Sequence, residues 1–290
     1  MVGSSTLAEA DWKEHQPAVF GVAYRVLGSV ADAEDVTQDV WLRAAAADLS
    51  EVRDLRAWLV TVAARTAYNV LKSARVRREN YVGPWLPEPL LTGPDAAEPV
   101  LIDESVETAM LRMMDELAPA ERVAFVLHDV FDVPFGRIAE VIDRSPAASR
   151  QLASRARRRL ATVRERPRAP RAERARVLTA FRAASESGDL AELVRLLHPD
   201  AVYVADGGGK VLASLRPVHG AGTIANLSVH LARQLVGVRI ELVEVGGEQA
   251  LATYHDGALR WIDCFDVVDG RITKVWRVAN PEKLPRPGHN

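Results

Sequence analysis

Apolar residues along the first eighty positions recur at helical spacing. In residues 7–27 they fall at Trp12, Val19, Phe20, Ala23, Val26 and Leu27, and Gly28 stands where a glycine C-cap is expected. Residues 31–47 put Ala33, Val36, Val40 and Trp41 on one edge and Asp32, Asp35, Gln38, Asp39 and Arg43 on the other. After a polar connector at 48–54, residues 55–80 predict a third helix with Leu55, Trp58, Leu59, Val62, Thr66 and Val70 inward. On its charged side Arg65, Lys72 and Arg75 lie near one another, and Arg77 and Arg78 extend the stripe. The pattern predicts an all-helical domain over 1–80.

Residues 81–102 hold five prolines and two glycines, which excludes helix across most of the segment. This linker also carries Trp85, Leu86, Leu90 and Leu91. A flexible spacer has no use for exposed tryptophan, so a docked linker is expected. A second all-helical domain follows over 103–163. Its first helices fall at 106–117 and 119–130, the latter opening on a tolerated first-turn proline, Pro119. Two shorter helices occupy 135–160. Ile138, Ala139 and Ile142 give the first a buried edge, Ser145 caps the second, and Pro146 opens it. In that last helix Ser149, Leu152, Ala153, Ala156 and Leu160 turn inward, and Arg150, Gln151, Ser154, Arg155, Arg157 and Arg158 turn outward. Small inward residues allow a close helix crossing, and a long cationic outer face suits a DNA major groove. The stretch reads as a helix-turn-helix, followed by a basic linker at 164–174.

From 175 the periodicity changes. Helices are predicted at 175–187 and 190–197. Then come runs of period two, VYVAD, RIELVEV, ALATYHD, LRWIDCFDVV and RITKVWRV, interrupted by a helix near 223–235. This order predicts an α+β domain over 175–290, with a curved sheet wrapped on helices. Asp206, Gly207, Gly208, Gly209 and Lys210 lack the spacing of a phosphate loop; three glycines between strands let the backbone approach another segment. Alternation places Leu259, Trp261, Asp263, Phe265 and Val267 on one face. Trp261, Asp263 and Phe265 thus share that face. A carboxylate among aromatics would have a raised pKa and could act as a base; the competing reading is that Asp263 caps a loop or pairs with a nearby arginine. His219, His230 and His255 are further candidates. No spacing resembles a metal site, and no cofactor is implied.

Composition narrows the class. The chain has 290 residues, is 48% apolar and has a net charge of −2. The total hides an asymmetry. Residues 81–143 hold 13 acidic and 3 basic residues, whereas 144–176 hold 2 acidic and 12 basic. A basic block of that kind is the footprint of a polyanion site. A single cysteine, Cys264, excludes an intramolecular disulfide and a cysteine-based zinc site. The polar start lacks the pattern of a signal peptide, and no apolar run approaches a membrane span, so a soluble, cytoplasmic protein is expected.

The stretch ADAEDVTQDVWLRAAA, followed by a Trp-bearing basic helix, resembles the second conserved region of extracytoplasmic-function sigma factors. ERVAFVLHDVFDVPFGRIAEVIDRSPAASRQLASRARRRL resembles their fourth. WLP in the linker, DGGGK at 206–210 and NPEKL at 280–284 resemble the SigJ-like subgroup, which carries a SnoaL-like, NTF2-type C-terminal extension. The resemblance implies a promoter-specificity subunit of RNA polymerase and not an enzyme. It implies that Asp35, Gln38, Asp39 and Arg43 dock on the polymerase clamp helices, with the flap as a second polymerase contact. It implies that the connector 48–54, which contains Arg53, captures a base flipped from the −10 element. Arg65, Lys72, Arg75 and Arg78 would hold the phosphates of the opening strands. Arg150, Gln151, Ser154, Arg155 and Arg158 would read the −35 element. The extension would act in place of a separate anti-sigma protein. Its implied contacts are Trp85, Leu86 and Pro87 in the linker, the 206–210 loop, and Asn280, Pro281, Glu282, Lys283 and Leu284 in a tail free to reach outward. Because NTF2-type domains often enclose an apolar pocket, the resemblance also implies a candidate pocket at Trp261, Asp263 and Phe265, which an unidentified ligand could occupy.

The chain departs from the family pattern at four places. Arg137 replaces a common glutamate, Asp143 a helix-ending glycine, and Ser149 and Ala153 are smaller than usual. Two rival functions are a ligand-sensing helix-turn-helix regulator and an NTF2-type enzyme fused to a DNA-binding module. The acidic docking helix favours the sigma factor, because a stand-alone regulator needs no such surface.

Overall fold

Short side chains at the crossing points bring the first three helices together: α1 (Glu9–Leu27), α2 (Val30–Ala46) and α3 (Leu55–Arg78). The structure, a computed structural model, describes residues 7–78, 81–92, 111, 114, 117–164, 169–234 and 237–285, with no side-chain description at 74–78, 162–164 and 232–234. Gly28 ends α1 in the left-handed region at φ 69°, its N–H bonded to the Tyr24 carbonyl. Ser29 then caps α2 by accepting from the Asp32 N–H. The inward face of α3 differs from the predicted one. Leu59 and Thr66 are buried as expected, but Leu55, Trp58, Val62 and Val70 are only half-buried. The buried centre is Val60, Ala63, Ala64, Ala67, Tyr68 and Leu71. Alanines mark where helices approach most closely, and the larger residues are left at the margin.

The second helical region begins its described part with Leu111, Met114 and Leu117, all buried; the rest of the helix predicted at 106–117 lies outside the described residues. Then α4 (Pro119–Phe125) passes into a π-helical turn, Val126–Val130, where one continuous α-helix was expected. The helix-turn-helix follows as α5 (Phe135–Ile142) and α6 (Pro146–Arg164). Its turn forms as the sequence predicts. Asp143 sits at φ 54°, ψ 60°, a conformation that aspartate tolerates better than most residues, and the Ser145 hydroxyl accepts the Ala148 N–H at 3.2 Å.

The chain divides into two compact units: Met1–Glu79 with Ala97–Val163, and Asn80–Ala96 with Arg164–Asn290. Within the first unit the two helical regions share a core. Arg122 of α4 is fully buried and its Nε donates to the Arg25 carbonyl of α1 at 3.0 Å. The Arg25 guanidinium lies 5.7 Å from the Phe131 ring centre.

The second unit opens with α7 (Arg171–Ser187) and α8 (Leu190–Leu196). Pro170 presets the entry to α7, which therefore starts inside the stretch read as basic linker. The strands are β1 (Leu197–Asp206), β2 (Val218–His219), β3 (Arg239–Val245), β4 (Glu248–His255), β5 (Ala258–Val268) and β6 (Arg271–Val278), with α9 (Ala221–Gln234) between β2 and β3. They form one sheet in the order β2-β1-β6-β5-β4-β3, with β1 and β6 parallel and the other pairs antiparallel. The two-residue β2 is too short to leave a period-two signal in the sequence. One sheet face packs Tyr203, Leu251, Phe265 and Val275 with Leu178 and Phe181 of α7 and Ile224 and Ala225 of α9. The other gathers Ala250, Ala252, Ile262 and Cys264 under Trp276 and Leu284.

The linker belongs to this second unit. Leu91 pairs antiparallel with Val245 at the β3 edge, the Thr92 N–H donates to the Glu244 carbonyl, and the Gly246 N–H donates to the Leu90 carbonyl. An open sheet edge is thereby covered. Among the described residues no helix is long and apolar enough to cross a membrane.

Candidate functional site

The apolar edge of α2 is buried through Ala33, Val36, Val40 and Ala44, which turns Asp35, Gln38, Asp39 and Arg43 to solvent together. Arg43 lies 3.5 Å from Asp39 and also donates to the Thr66 hydroxyl of α3 at 3.3 Å. The sequence reading missed Leu42, which is 58% exposed on the same helix face. Spacing is the signal that could have found it, since Leu42 follows Asp35 and Gln38 by seven and four positions. A large apolar side chain among exposed carboxylates gives that surface a contact as well as a charge.

In the connector, Asp48 accepts the Ser50 N–H, which holds its carboxyl below the usual carboxylate range. Asp54 caps α3 by accepting from the Ala57 N–H. Arg53 is exposed between them. Arg65 and Lys72 are exposed two turns apart on α3, and the Lys72 ammonium lies 4.6 Å from the Tyr68 ring centre. The side chains of Arg75 and Arg78 lie outside the described residues.

On α6, Ser149, Leu152, Ala153, Ala156 and Leu160 are buried, and Arg150, Gln151, Ser154, Arg155 and Arg158 are exposed. The structure separates these five. Arg150 stacks over Phe135 at 5.2 Å. Arg155 is not free, because its Nε donates to Glu121 at 2.9 Å. Arg157 donates to Asp129 at 2.7 Å. Neither carboxylate partner was read from the sequence, since both lie about thirty positions away.

The residues expected to be regulatory converge on one carboxylate. Asp206 ends β1 and is fully buried. Its Oδ1 accepts from the Tyr81 hydroxyl at 2.5 Å and the Gly208 N–H at 3.1 Å; its Oδ2 accepts from the Leu86 N–H at 2.8 Å and the Lys283 ammonium at 2.7 Å. Lys283 also donates to the Leu86 carbonyl at 2.6 Å and sits over the Trp85 ring at 3.9 Å. Asn280 donates to the Tyr81 oxygen at 2.9 Å. Burial and the Asp206 hydrogen bond push the Tyr81 hydroxyl well above its ordinary pKa.

The glycines make this closure possible. A Cβ on Gly208 would come within 2.3 Å of the Asn280 amide, and one on Gly209 within 3.0 Å of Val82. Lys210 reaches Glu282 at 3.0 Å. The expectation of a tail reaching outward is corrected here. Asn280 and Lys283 are buried, Leu284 packs against the sheet, and the tail folds back because a buried carboxylate needs its cation.

In the candidate pocket the structure adopts the arginine pairing. Both oxygens of Asp263 accept from Arg277, each at 2.7 Å. The guanidinium lies 4.4 Å from the Trp261 ring centre and 5.4 Å from that of Tyr203. Burial works against the Arg277 charge, but Asp263 and Tyr203 more than offset it, and its pKa is raised. Phe265 is turned into the main core, edge-on to Phe181 at 5.3 Å.

Comparison with known proteins resolves the assignment. The Sigma-70 region 2 family matches residues 12–77, which span α1 to α3, and the Sigma-70 region 4 family matches 107–160, which end on α6. The chain is 40% identical over 285 residues to the ECF RNA polymerase sigma factor SigJ of Mycobacterium tuberculosis, covering 92% of this chain and 89% of that protein. The chain belongs to the ECF RNA polymerase sigma factors. A probable ECF sigma factor of the same species, SigI, is 31% identical, with 95% of this chain and 94% of that protein covered. The crystal structure of M. tuberculosis SigJ superposes with a TM-score of 0.77 at 35% identity, covering 95% of this chain and 98% of that one. That coverage takes in the curved-sheet domain. As an ECF sigma factor the chain thus carries a curved-sheet domain beyond its two sigma regions.

Proposed function

We propose that this ECF sigma factor directs RNA polymerase to its promoters, and that its C-terminal domain restrains it by holding the linker between the two sigma regions. The α2 surface of Asp35, Gln38, Asp39 and Arg43 docks on the polymerase clamp helices, and region 4 meets the flap. Arg53, Arg65, Lys72, Arg75 and Arg78 serve the −10 element, while α6 serves the −35 element.

The observation that carries the regulatory part is the Asp206 carboxylate. It binds linker residues Tyr81 and Leu86 and tail residue Lys283 at once. The linker is the covalent path from α3 to α4, so whatever fixes it limits how the two DNA-binding regions separate. A partner or ligand that favours the released linker would shift that balance. We read the C-terminal domain as regulatory rather than catalytic, because Arg277 engages both oxygens of Asp263.

The test is run-off transcription with purified core polymerase. The intact chain should direct initiation from a promoter that core enzyme alone does not use. A chain that binds core and yields no promoter-dependent transcript contradicts the assignment.

A further inference from the structure

The outer surface of α6 is held from both flanks. At about 100° per residue, Arg150, Ser154, Arg158 and Gln151 lie within roughly 100° of arc, with Arg155 and Arg159 beyond one border and Arg157 beyond the other. Each border is tied to a carboxylate that precedes α5 in the chain, Glu121 of α4 on one side and Asp129 of the π-helical turn on the other. Glu121 has a side chain only 6% exposed. Its Oε1 accepts from Arg155 at 2.9 Å, and its Oε2 accepts from Arg159 at 3.1 Å and from the Ala118 N–H at 3.2 Å. Ala118 has no side-chain acceptor to return that last bond, so Glu121 is left to tie the start of α4 directly to α6. On the opposite border Asp129, 14% exposed, accepts from Arg157 at 2.7 Å. Asp129 lies on the π-helical turn, whose wider winding re-aims side chains relative to a continuous α-helix.

We propose that Glu121 is a positioning residue for promoter recognition. It fixes the rotation of α6, and it engages Arg155 and Arg159 so that neither reads a base. Base reading is left to Arg150, Gln151, Ser154 and Arg158. The inference rests on α6 being the −35 reading helix and removes Arg155 from the set that the family resemblance implied. The physical reason is directional. One of the guanidinium edges that can pair with guanine runs through Nε, and the Arg155 Nε is already directed at a buried carboxylate, which fixes where the rest of the group points. The exposed remainder of Arg155 and Arg159 can still meet phosphate, which positions without specifying.

The experiment is selection of promoters randomised in the −35 element. It uses the full chain with core polymerase and compares wild type with Glu121→Gln, Arg155→Ala, the double variant and Arg150→Ala. Glu121→Gln and Arg155→Ala should blur the same several positions, lowering discrimination by about tenfold. The double variant should be no worse than either alone, and −10 preference should be unchanged. Three results would overturn the proposal. If Glu121→Gln lowers melting temperature and yield but leaves relative −35 preference intact, Glu121 is structural only. If Arg155→Ala erases preference at one position and its effect adds to that of Glu121→Gln, Arg155 reads a base. If Arg150→Ala leaves selection unchanged while core binding persists, the helix assignment itself fails, and the proposal with it.

Discussion

Lys283 places its ammonium group 2.7 Å from a carboxylate oxygen of Asp206, 77 residues back along the chain, with both side chains closed off from solvent. Two buried charges held this way stabilise little as a pair, but removing one strands the other. Lys283→Met should therefore destabilise the linker-bound state by about 3–5 kcal/mol. Asp206→Asn combined with Lys283→Met should recover part of that loss. Hydrogen exchange at Tyr81, Val82 and Leu86 measures it, with fast exchange expected in the single variant and partial protection in the double.

Gly208 tests the same closure through backbone geometry. At φ 57° it occupies the left-handed region, and an added Cβ would collide with Asn280 and the Tyr81 oxygen. Gly208→Ala should raise linker exchange at a cost of about 1–3 kcal/mol. Gly222→Ala is the control, since nothing lies within 4 Å of its added Cβ. Equal exchange in the two variants would mean that the Asn280 and Tyr81 contacts are dispensable.

The proposed polymerase-docking surface can be reversed in charge without disturbing the core. Asp35 and Asp39 are exposed, and the buried edge of α2 is made by other residues. Asp35→Arg with Asp39→Arg should abolish co-purification with core polymerase and leave helical circular dichroism unchanged. Retained binding would remove α2 from the interface.

Asp263→Asn should leave the Arg277 charge buried without the carboxylate that pairs with it and lower the stability of the C-terminal domain by about 3 kcal/mol. No turnover of a ketone substrate is expected from the parent chain or the variant. Conversion of a steroid- or polyketide-like ketone by the purified protein would restore the enzyme reading of the fold.

Features set by local chemistry were legible in the sequence. Gly28, Asp143, Ser145 and Pro146 act at their own turns, and period-two runs revealed the long strands. What was hidden depends on partners distant in the chain. Asp206 stood out only for its glycine neighbours, because Tyr81, Leu86 and Lys283 are brought to it by folding. The same holds for Glu121 and Asp129, whose arginines lie on another helix. The α3 face was misplaced because large residues were weighted over Ala63, Ala64 and Ala67, where the helices cross. Arg122 gave no signal at all, since an arginine is rarely expected at the centre of a core.

Holding the linker is proposed to restrain transcription. It is tested most directly by run-off yield from one promoter, measured beside hydrogen exchange across 81–92, for the intact chain, Asp206→Asn and a chain ended after Ala279. Both changes should speed linker exchange and raise transcript yield together. Faster exchange with yield equal to that of the intact chain would contradict it.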